Sequence, residues 1–577
     1  MKINVFKYHL VTAFILLTIS NGVFAQKKSD EENVNVVASR KIPPAYRITE
    51  SPKIIDSIAP QSQVQYPLLS LKYENTIEID TIDAATIKLV DKLSRLYNTY
   101  VKVGIGSDLM PLGEIYYNNG RSRKYSYGAS LKHLSSFGKL KNQAPARFDR
   151  TAFDLYGGIN EKKYTAKAEF LTNSKGLHWY GFPKPDADRD SIQNRFTEIG
   201  TRLSYASHKK DSANLNYKIG FEYFNFHDKK SKVDSLSNWH GKENYVAVKS
   251  AFWYKWGEEI FAADLNIQYN GYKYGELNKT INGIDSGTVR NNTVINLKPT
   301  VTTYAFNNKL KAQVGFDFAI DGKIKTKAYI YPIAEVKYSL FNDILIPYAG
   351  LKGGLKQNSF KSLSLENEFI LSNIEIENEH NAITLFGGIK GTLSKQIGFN
   401  ASFSFGNYKN KAMFITDTLI ALERNQFRLL YDTMNITTLE GSIYYQLSEK
   451  IKVDAIGRFN SYNARNNSYA WNLPQLEVIV RGSYNLYDKF LVTLDMKYEG
   501  GRKGLVYANG KDVSLEDGQY AKKLGFIADV NLGVEYRYNK RISAFVQFNN
   551  LAAQRYQRWY NYPVQSFQVL GGFTFRF

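Results

Sequence analysis

Six histidines follow residue 25, namely His133, His178, His208, His227, His240 and His380, and no two stand at metal-ligand spacing. No serine lies in a G-x-S-x-G frame, so the nucleophile elbow of a hydrolase is missing as a linear motif. A site assembled from separate strands would leave no such trace, but no residue invites assignment to a reaction, and the expectation is a protein that is not an enzyme. Asp186, Asp188 and Asp190 form a D-x-D-x-D run, and hard oxygen ligands at that spacing suit Ca²⁺. Ser191 replaces the glycine of a calcium loop and Thr197 its closing glutamate, so a solvated acidic loop is expected there and no metal or cofactor. The absence of cysteine excludes a thiolate metal site, a disulfide framework and a lipid-modified N-terminus. Two aromatic runs offer flat apolar surface instead: His178-Trp179-Tyr180-Gly181-Phe182-Pro183 and Trp559-Tyr560-Asn561-Tyr562-Pro563. Trp179, Tyr180, Trp559, Tyr560 and Tyr562 are candidate ligand or protein contacts; the competing reading is a girdle at lipid headgroup level.

The elements that position these residues show a period of two. Ala213, Leu215, Tyr217, Ile219, Phe221 and Tyr223 alternate with Asn214, Asn216, Lys218, Gly220 and Glu222; Phe490, Val492, Leu494, Met496 and Tyr498 alternate with Lys489, Thr493, Asp495 and Lys497. The stretch from Leu524 to Arg537 and the run around Leu476, Val478 and Val480 repeat the pattern. Alternation alone fits a soluble sandwich as well as a barrel. Length separates them, because many runs reach about eleven residues, beyond the usual five or six and matched to a tilted membrane-crossing strand. At the C-terminus Phe567, Val569, Gly571, Phe573, Phe575 and Phe577 share one side, and the chain stops on an aromatic carboxylate. That is the expected closing strand and assembly signal of an outer-membrane β-barrel, with Phe573, Phe575 and Phe577 facing lipid.

The N-terminus agrees with export. Lys2 and Lys7 precede an apolar stretch from Val11 to Ile19, and Val23-Phe24-Ala25 supplies cleavage-site residues, so residues 1–25 read as a secretory signal. No later apolar run is long enough for a transmembrane helix, which leaves a barrel as the way to cross a bilayer with every backbone group paired. The 75 basic against 54 acidic residues, a formal +21, are spread along strands and loops rather than clustered. This favours contact with lipopolysaccharide and other outer-membrane lipid over nucleic acid. Tight polar turns near 160–162, 209–210, 256–257, 307–308, 342–343, 394–395, 448–449, 487–488 and 539–540 alternate with longer links at 175–194, 229–242, 274–290, 357–380, 407–425, 464–472 and 500–520, with a short exception at 321–322. That asymmetry predicts an all-β membrane protein: a large antiparallel barrel of about 22 strands over 97–577, both termini periplasmic.

The strand count, the terminal Phe567 to Phe577 strand, the Val534 to Asn550 hairpin and the Asn549-Asn550-Leu551 to Pro563 segment resemble the barrel of TonB-dependent receptors of the Bacteroidota type. The resemblance covers about 97–577. Those receptors carry a plug of well over a hundred residues, whereas 26–96 is too short for one; a lumen this wide needs filling by loops, side chains, this segment or a partner. Asn33-Val34-Asn35-Val36-Val37-Ala38 looks like the box such receptors offer to TonB by strand addition, with Val34, Val36 and Val37 as its apolar positions. Thr81 to Leu96 is spaced as a helix on Ile82, Ala85, Leu89, Leu93 and Leu96. The expected role is a structural or accessory subunit of an outer-membrane complex in transport, secretion or membrane-protein assembly, inserted by the barrel-assembly machinery and bound to other outer-membrane or periplasmic proteins. The alternative is a TonB-dependent importer of a nutrient or metal chelate.

Overall fold

The computed structural model describes residues 96–208, 215–230, 240–274, 289–323, 325–417, 423, 425–505 and 521–577. The signal sequence, the Val34 to Val37 box and the Thr81 to Leu96 helical pattern therefore lie outside the described residues, Leu96 excepted. Twenty-two strands form one antiparallel sheet, each paired with its neighbours along the chain, and the first, Thr99–Gly106, pairs with the last, Gln568–Arg576. The sheet is thus a closed barrel with no free edge.

Alternation decides which face meets what. Val101, Ile115, Leu131 and Phe153 make one cross-strand row on the outer face, where Ile105, Leu155 and Phe170 are also exposed. Lys102, Glu114 and Lys132 make the adjacent row on the lumenal face. Farther round, Arg202, Glu222 and Lys249 line the same interior, with Glu222 bridging the two cations at 3.2 and 3.0 Å. Apolar out and polar in is the membrane-barrel pattern, in which hydrocarbon takes the place of a protein core.

The seam carries the chain terminus. Phe575 faces Val101 and Phe573 faces Val103, while the amides of Asn98 and Thr99 both donate to the Phe577 carbonyl at 2.8 and 3.2 Å. Gly104 and Gly572 face each other across it, and a Cβ on Gly572 would collide with the Val103 carbonyl oxygen. The closing-strand assignment thus holds over Gln568–Arg576, with Phe567 and Phe577 just outside the strand.

Links at the termini end are short, from 257–258 to 208–215, and those at the opposite end are long, reaching 501–526, except for 107–109 and 323–325. Two expectations change. The link placed at 407–425 shrinks to 417–426, because Ile397–Thr416 and Phe427–Leu447 run for 20 and 21 residues. Their upper ends bury Met413, Ile415 and Met434 with Trp471 and Leu505, so protein packing extends the wall past the height that lipid requires. Leu524 leaves the strand period too: the following strand begins at Ile527, and Leu524 is buried with its amide on the Arg502 carbonyl.

Candidate functional site: an inward-folded loop

Residues 357–378 leave the wall between Ile346–Lys356 and Glu379–Ser394 and do not stay at the rim. Ser359 caps a short helix, α1 (Phe360–Glu366), accepting from the Ser362 amide while Ser362 Oγ accepts from the Ser359 amide. This box satisfies amides that an inserted helix could not leave to water. Phe360 and Leu363 point the same way and are buried.

Their seat is the lumenal wall. Glu198, Phe226, Glu243 and Tyr272 form one cross-strand row, in register with the inward Arg202 and Glu222. Phe360 packs on Phe226 and Tyr272 at ring centroids 5.6 and 5.3 Å and on Phe196 at 6.1 Å. Gly241 makes the room, since a Cβ there would stand 2.6 Å from the Phe360 ring. Glu243 accepts from the Lys361 amide at 3.0 Å, and Lys361 Nζ meets Glu198 at 2.5 Å while lying 3.9 Å from the Phe224 ring centroid. Because inward-facing residues are the ones covered, the loop lies within the barrel wall rather than over it.

Beyond α1 the chain is strapped across the opening. Leu371 donates to the Phe427 carbonyl and Phe427 to the Phe369 carbonyl at 2.8 and 2.9 Å, a parallel bridge at Ile370. Tyr272 donates to the Ser372 carbonyl and Ser372 to Asp228. The acids of the loop then find cations round the circumference: Glu368 on Lys175 and Arg150, Glu375 on Arg290, Glu377 on Lys323 and, just past the loop, Glu379 on Lys411 at 2.9 Å. Arg150 sits on Phe148–Asn160 and Lys411 on Ile397–Thr416, so the anchors span about half of the wall. Burial pushes the Glu366 carboxyl above its ordinary range, with Lys411 and Lys356 opposing.

The two aromatic runs join this closure, which corrects both of their expected roles. Tyr562 stacks on Phe369 at 3.6 Å, Tyr180 meets Tyr562 edge-on at 4.9 Å, and Trp559 packs on Phe414 and Phe427 at 5.2 and 5.6 Å. Trp179, Trp559 and Tyr562 are buried, with the Trp179 carbonyl accepting from Asn425 at 3.0 Å. Burial holds the Tyr180 and Tyr562 phenols well above their ordinary range. They form the core of interlocked loops, neither a free contact surface nor a headgroup girdle; Tyr180 and Tyr560, the latter under Lys522 at 5.1 Å, keep partial exposure. Asp188 and Asp190 bracket the start of a 3-10 turn, Asp188 Oδ1 accepting from the Asp190 amide at 3.3 Å. Among the described residues no group of three His, Cys, Asp or Glu side chains, this run included, is gathered as a metal site. Sequence reasoning took 357–380 for an irregular link. The serine pair of the capping box, Phe360 and Leu363 three apart, and the glutamates at 366, 368, 375, 377 and 379 were the available signal.

No family model matches the chain, and no curated relative does. Solved structures do match. The FrpB iron transporter from Neisseria meningitidis aligns at TM-score 0.64 and 10% identity, over 84% of this chain and 82% of that one. The siderophore receptor PirA from Acinetobacter baumannii gives 0.63 and 12% over 84% and 81%, and the ferripyoverdine receptor of Pseudomonas aeruginosa 0.61 and 12% over 84% and 72%. The chain has the barrel fold of outer-membrane TonB-dependent receptors. At such identities the likeness is one of fold alone.

Proposed function

We propose that this receptor-type barrel is a non-enzymatic structural or accessory subunit of an outer-membrane complex, in a Gram-negative cell with both termini periplasmic. Its outer face meets lipid and lipopolysaccharide, its closing strand is read by the barrel-assembly machinery, and residues 357–378 close its lumen from the cell exterior. The observation that carries this reading is Phe360 seated on lumenal Phe196, Phe226 and Tyr272, because a loop built as wall filling suits a barrel that does not conduct by default. Purification in mild detergent with identification of bound chains tests it: a stoichiometric outer-membrane or periplasmic partner is expected, and a barrel that stays alone and conducts steadily in planar bilayers would overturn it.

A second reading, active import, is favoured by the fold shared with an iron transporter and siderophore receptors. It assigns Val34, Val36 and Val37 to a TonB contact. Deleting residues 33–38 separates the two: lost uptake with normal insertion supports import, whereas unchanged uptake with intact co-purifying partners supports the subunit.

A further inference from the structure

The outer face carries one band that contact with hydrocarbon does not explain. Thr151, Ser174, Thr197, His227, Lys242 and Lys273 stand opposite one another in a single cross-strand row, over adjacent strands from Phe148–Asn160 to Glu259–Tyr274. Thr151 is two residues from the outward Phe153, so the row points away from the lumen. On the same strands, nearer the middle of the wall, Leu155, Phe170, Ile199, Tyr223 and Tyr269 are exposed to lipid, and such tyrosines mark the headgroup level. Lys242 and Lys273 lie beyond them, beside the long links 231–240 and 275–288. The band is local: on Ile397–Thr416, Phe427–Leu447 and Ile451–Ala464 the polar row beyond the apolar belt is Asn407, Asn435 and Asn463, without charge.

Register gathers the cations. Lys242 faces Lys273 on one side and His227 on the other, and Lys229, two residues past His227 on the same face, stands diagonal to Lys242. Facing Cβ atoms are about 5 Å apart and diagonal ones about 7–8 Å, within reach of lysine side chains. Like charges in facing positions destabilise a strand pair. All three lysines are exposed. The acids beside them in the chain turn to the lumen, Asp228 accepting from Ser372 and Glu243 from the Lys361 amide at 3.0 Å. Asp149, on the outer face, is clamped by Arg195 through two bonds of 2.7 Å. An oxyanion bonded to several ammonium groups would relieve the excess. Hydroxyls adjoin it: Thr151 and Ser174 are fixed by His133 and Arg195 at 2.8 and 2.9 Å, and Thr197 is exposed next to His227. Ammonium groups beside hydroxyls, with an apolar belt directly below, match the phosphate, sugar and acyl chains of one lipid.

We propose that Lys229, Lys242 and Lys273, with Thr197 beside them, bind the phosphorylated sugar headgroup of an outer-leaflet glycolipid. The site rests on the orientation proposed above, in which the long-link end faces the cell exterior. That orientation has its own test: Asp186→Cys, exposed in a long link of a chain without cysteine, should react with a membrane-impermeant maleimide on intact cells. Labelling only after lysis would put the band in the inner leaflet and overturn the glycolipid. Native mass spectrometry of the full chain in nonionic detergent measures binding whatever the orientation. Diphosphoryl lipid A is expected to bind saturably, with dephosphorylated lipid A and phosphatidylglycerol at least tenfold weaker. Lys242→Gln with Lys273→Gln should weaken diphosphoryl lipid A at least tenfold, and Lys540→Gln, on a turn at the other end, should leave it unchanged. Lys273→Gln alone should weaken binding without lowering the unliganded melting temperature, since it removes a facing like charge; a lysine needed only for folding would lower it. Heat-modifiable gel migration confirms that each variant is a folded barrel. Phosphatidylglycerol binding equally would make the band a general anionic-lipid surface, and inorganic pyrophosphate binding as tightly would make it a free-phosphate site. Either result, or unchanged binding in the double variant, would overturn the proposal.

Discussion

Replacing Phe360 by alanine should open the lumen without unfolding the barrel. The ring is fully buried among Phe196, Phe226 and Tyr272, and none of its contacts belongs to the strand ladders. A buried phenylalanine removes about 150–250 Å² from water, which at ~25 cal/mol per Å² comes to roughly 4–6 kcal/mol as an upper figure. Core Phe→Ala changes cost about 3–5 kcal/mol, the spread reflecting how far the site collapses. Since about 1.4 kcal/mol is tenfold in an equilibrium, the ratio of docked to undocked loop should fall by roughly a hundred- to a few-thousand-fold. The barrel keeps all of its backbone pairing, so heat-modifiable migration should not change. Two readouts follow the loop: single-channel conductance in planar bilayers, and trypsin cleavage after Lys361, whose ammonium is held by Glu198 in the docked state. Gly241→Ala approaches the same seat from the other side, forcing a methyl to within 2.6 Å of the ring, and should act in the same direction with about 1–3 kcal/mol of overpacking. If Phe360→Ala leaves both conductance and trypsin resistance at native levels, the loop is not what closes the lumen.

Lys411→Met should lower the melting temperature by an amount equivalent to about 3–5 kcal/mol, because it strands the buried Glu379 carboxylate without its cation; adding Glu379→Gln should restore most of the loss. The docked loop should also respond to pH. The Glu366 carboxyl is raised by burial, so the docked state binds its proton more tightly than the undocked one; docking gains fully below the ordinary value of 4.5 and loses as pH rises through the raised value. Trypsin cleavage after Lys361 should therefore quicken across that window, and Glu366→Gln should flatten this component; an unchanged profile in that variant would count against it. Phe577→Asp should reduce outer-membrane abundance while leaving detergent refolding intact, since the seam uses the Phe577 backbone and the side chain lies exposed on the outer face. Normal surface levels would remove the side chain from the assembly signal.

Architecture was legible because a barrel wall is written locally. A two-residue period, runs of about eleven residues and alternating short and long links each follow from one strand crossing one bilayer, so Phe490–Gly500 or Leu476–Leu486 announces itself without reference to its partners. The closing strand belongs to the same class, its aromatic row surviving as the row that pairs with Val101 and Val103.

The lumen was not legible, and the reason is distance along the chain. Tyr562 and Phe369 stack across nearly two hundred residues, and Tyr180 joins them from as far on the other side. A tryptophan or tyrosine in a link looks the same whether it will face a ligand, a headgroup or another loop, because the choice depends on what folds against it. The facing of Lys311 and Lys337 likewise exists only once register is set, since a one-residue slip would turn one of them toward lipid. By itself the sequence determined that strands of membrane length close on an aromatic terminus, because solvent preference and strand period act on neighbouring residues. Only the tertiary structure decided that residues 357–378 turn inward and which side chains meet inside the wall, because those outcomes depend on contacts between segments that the chain order keeps apart.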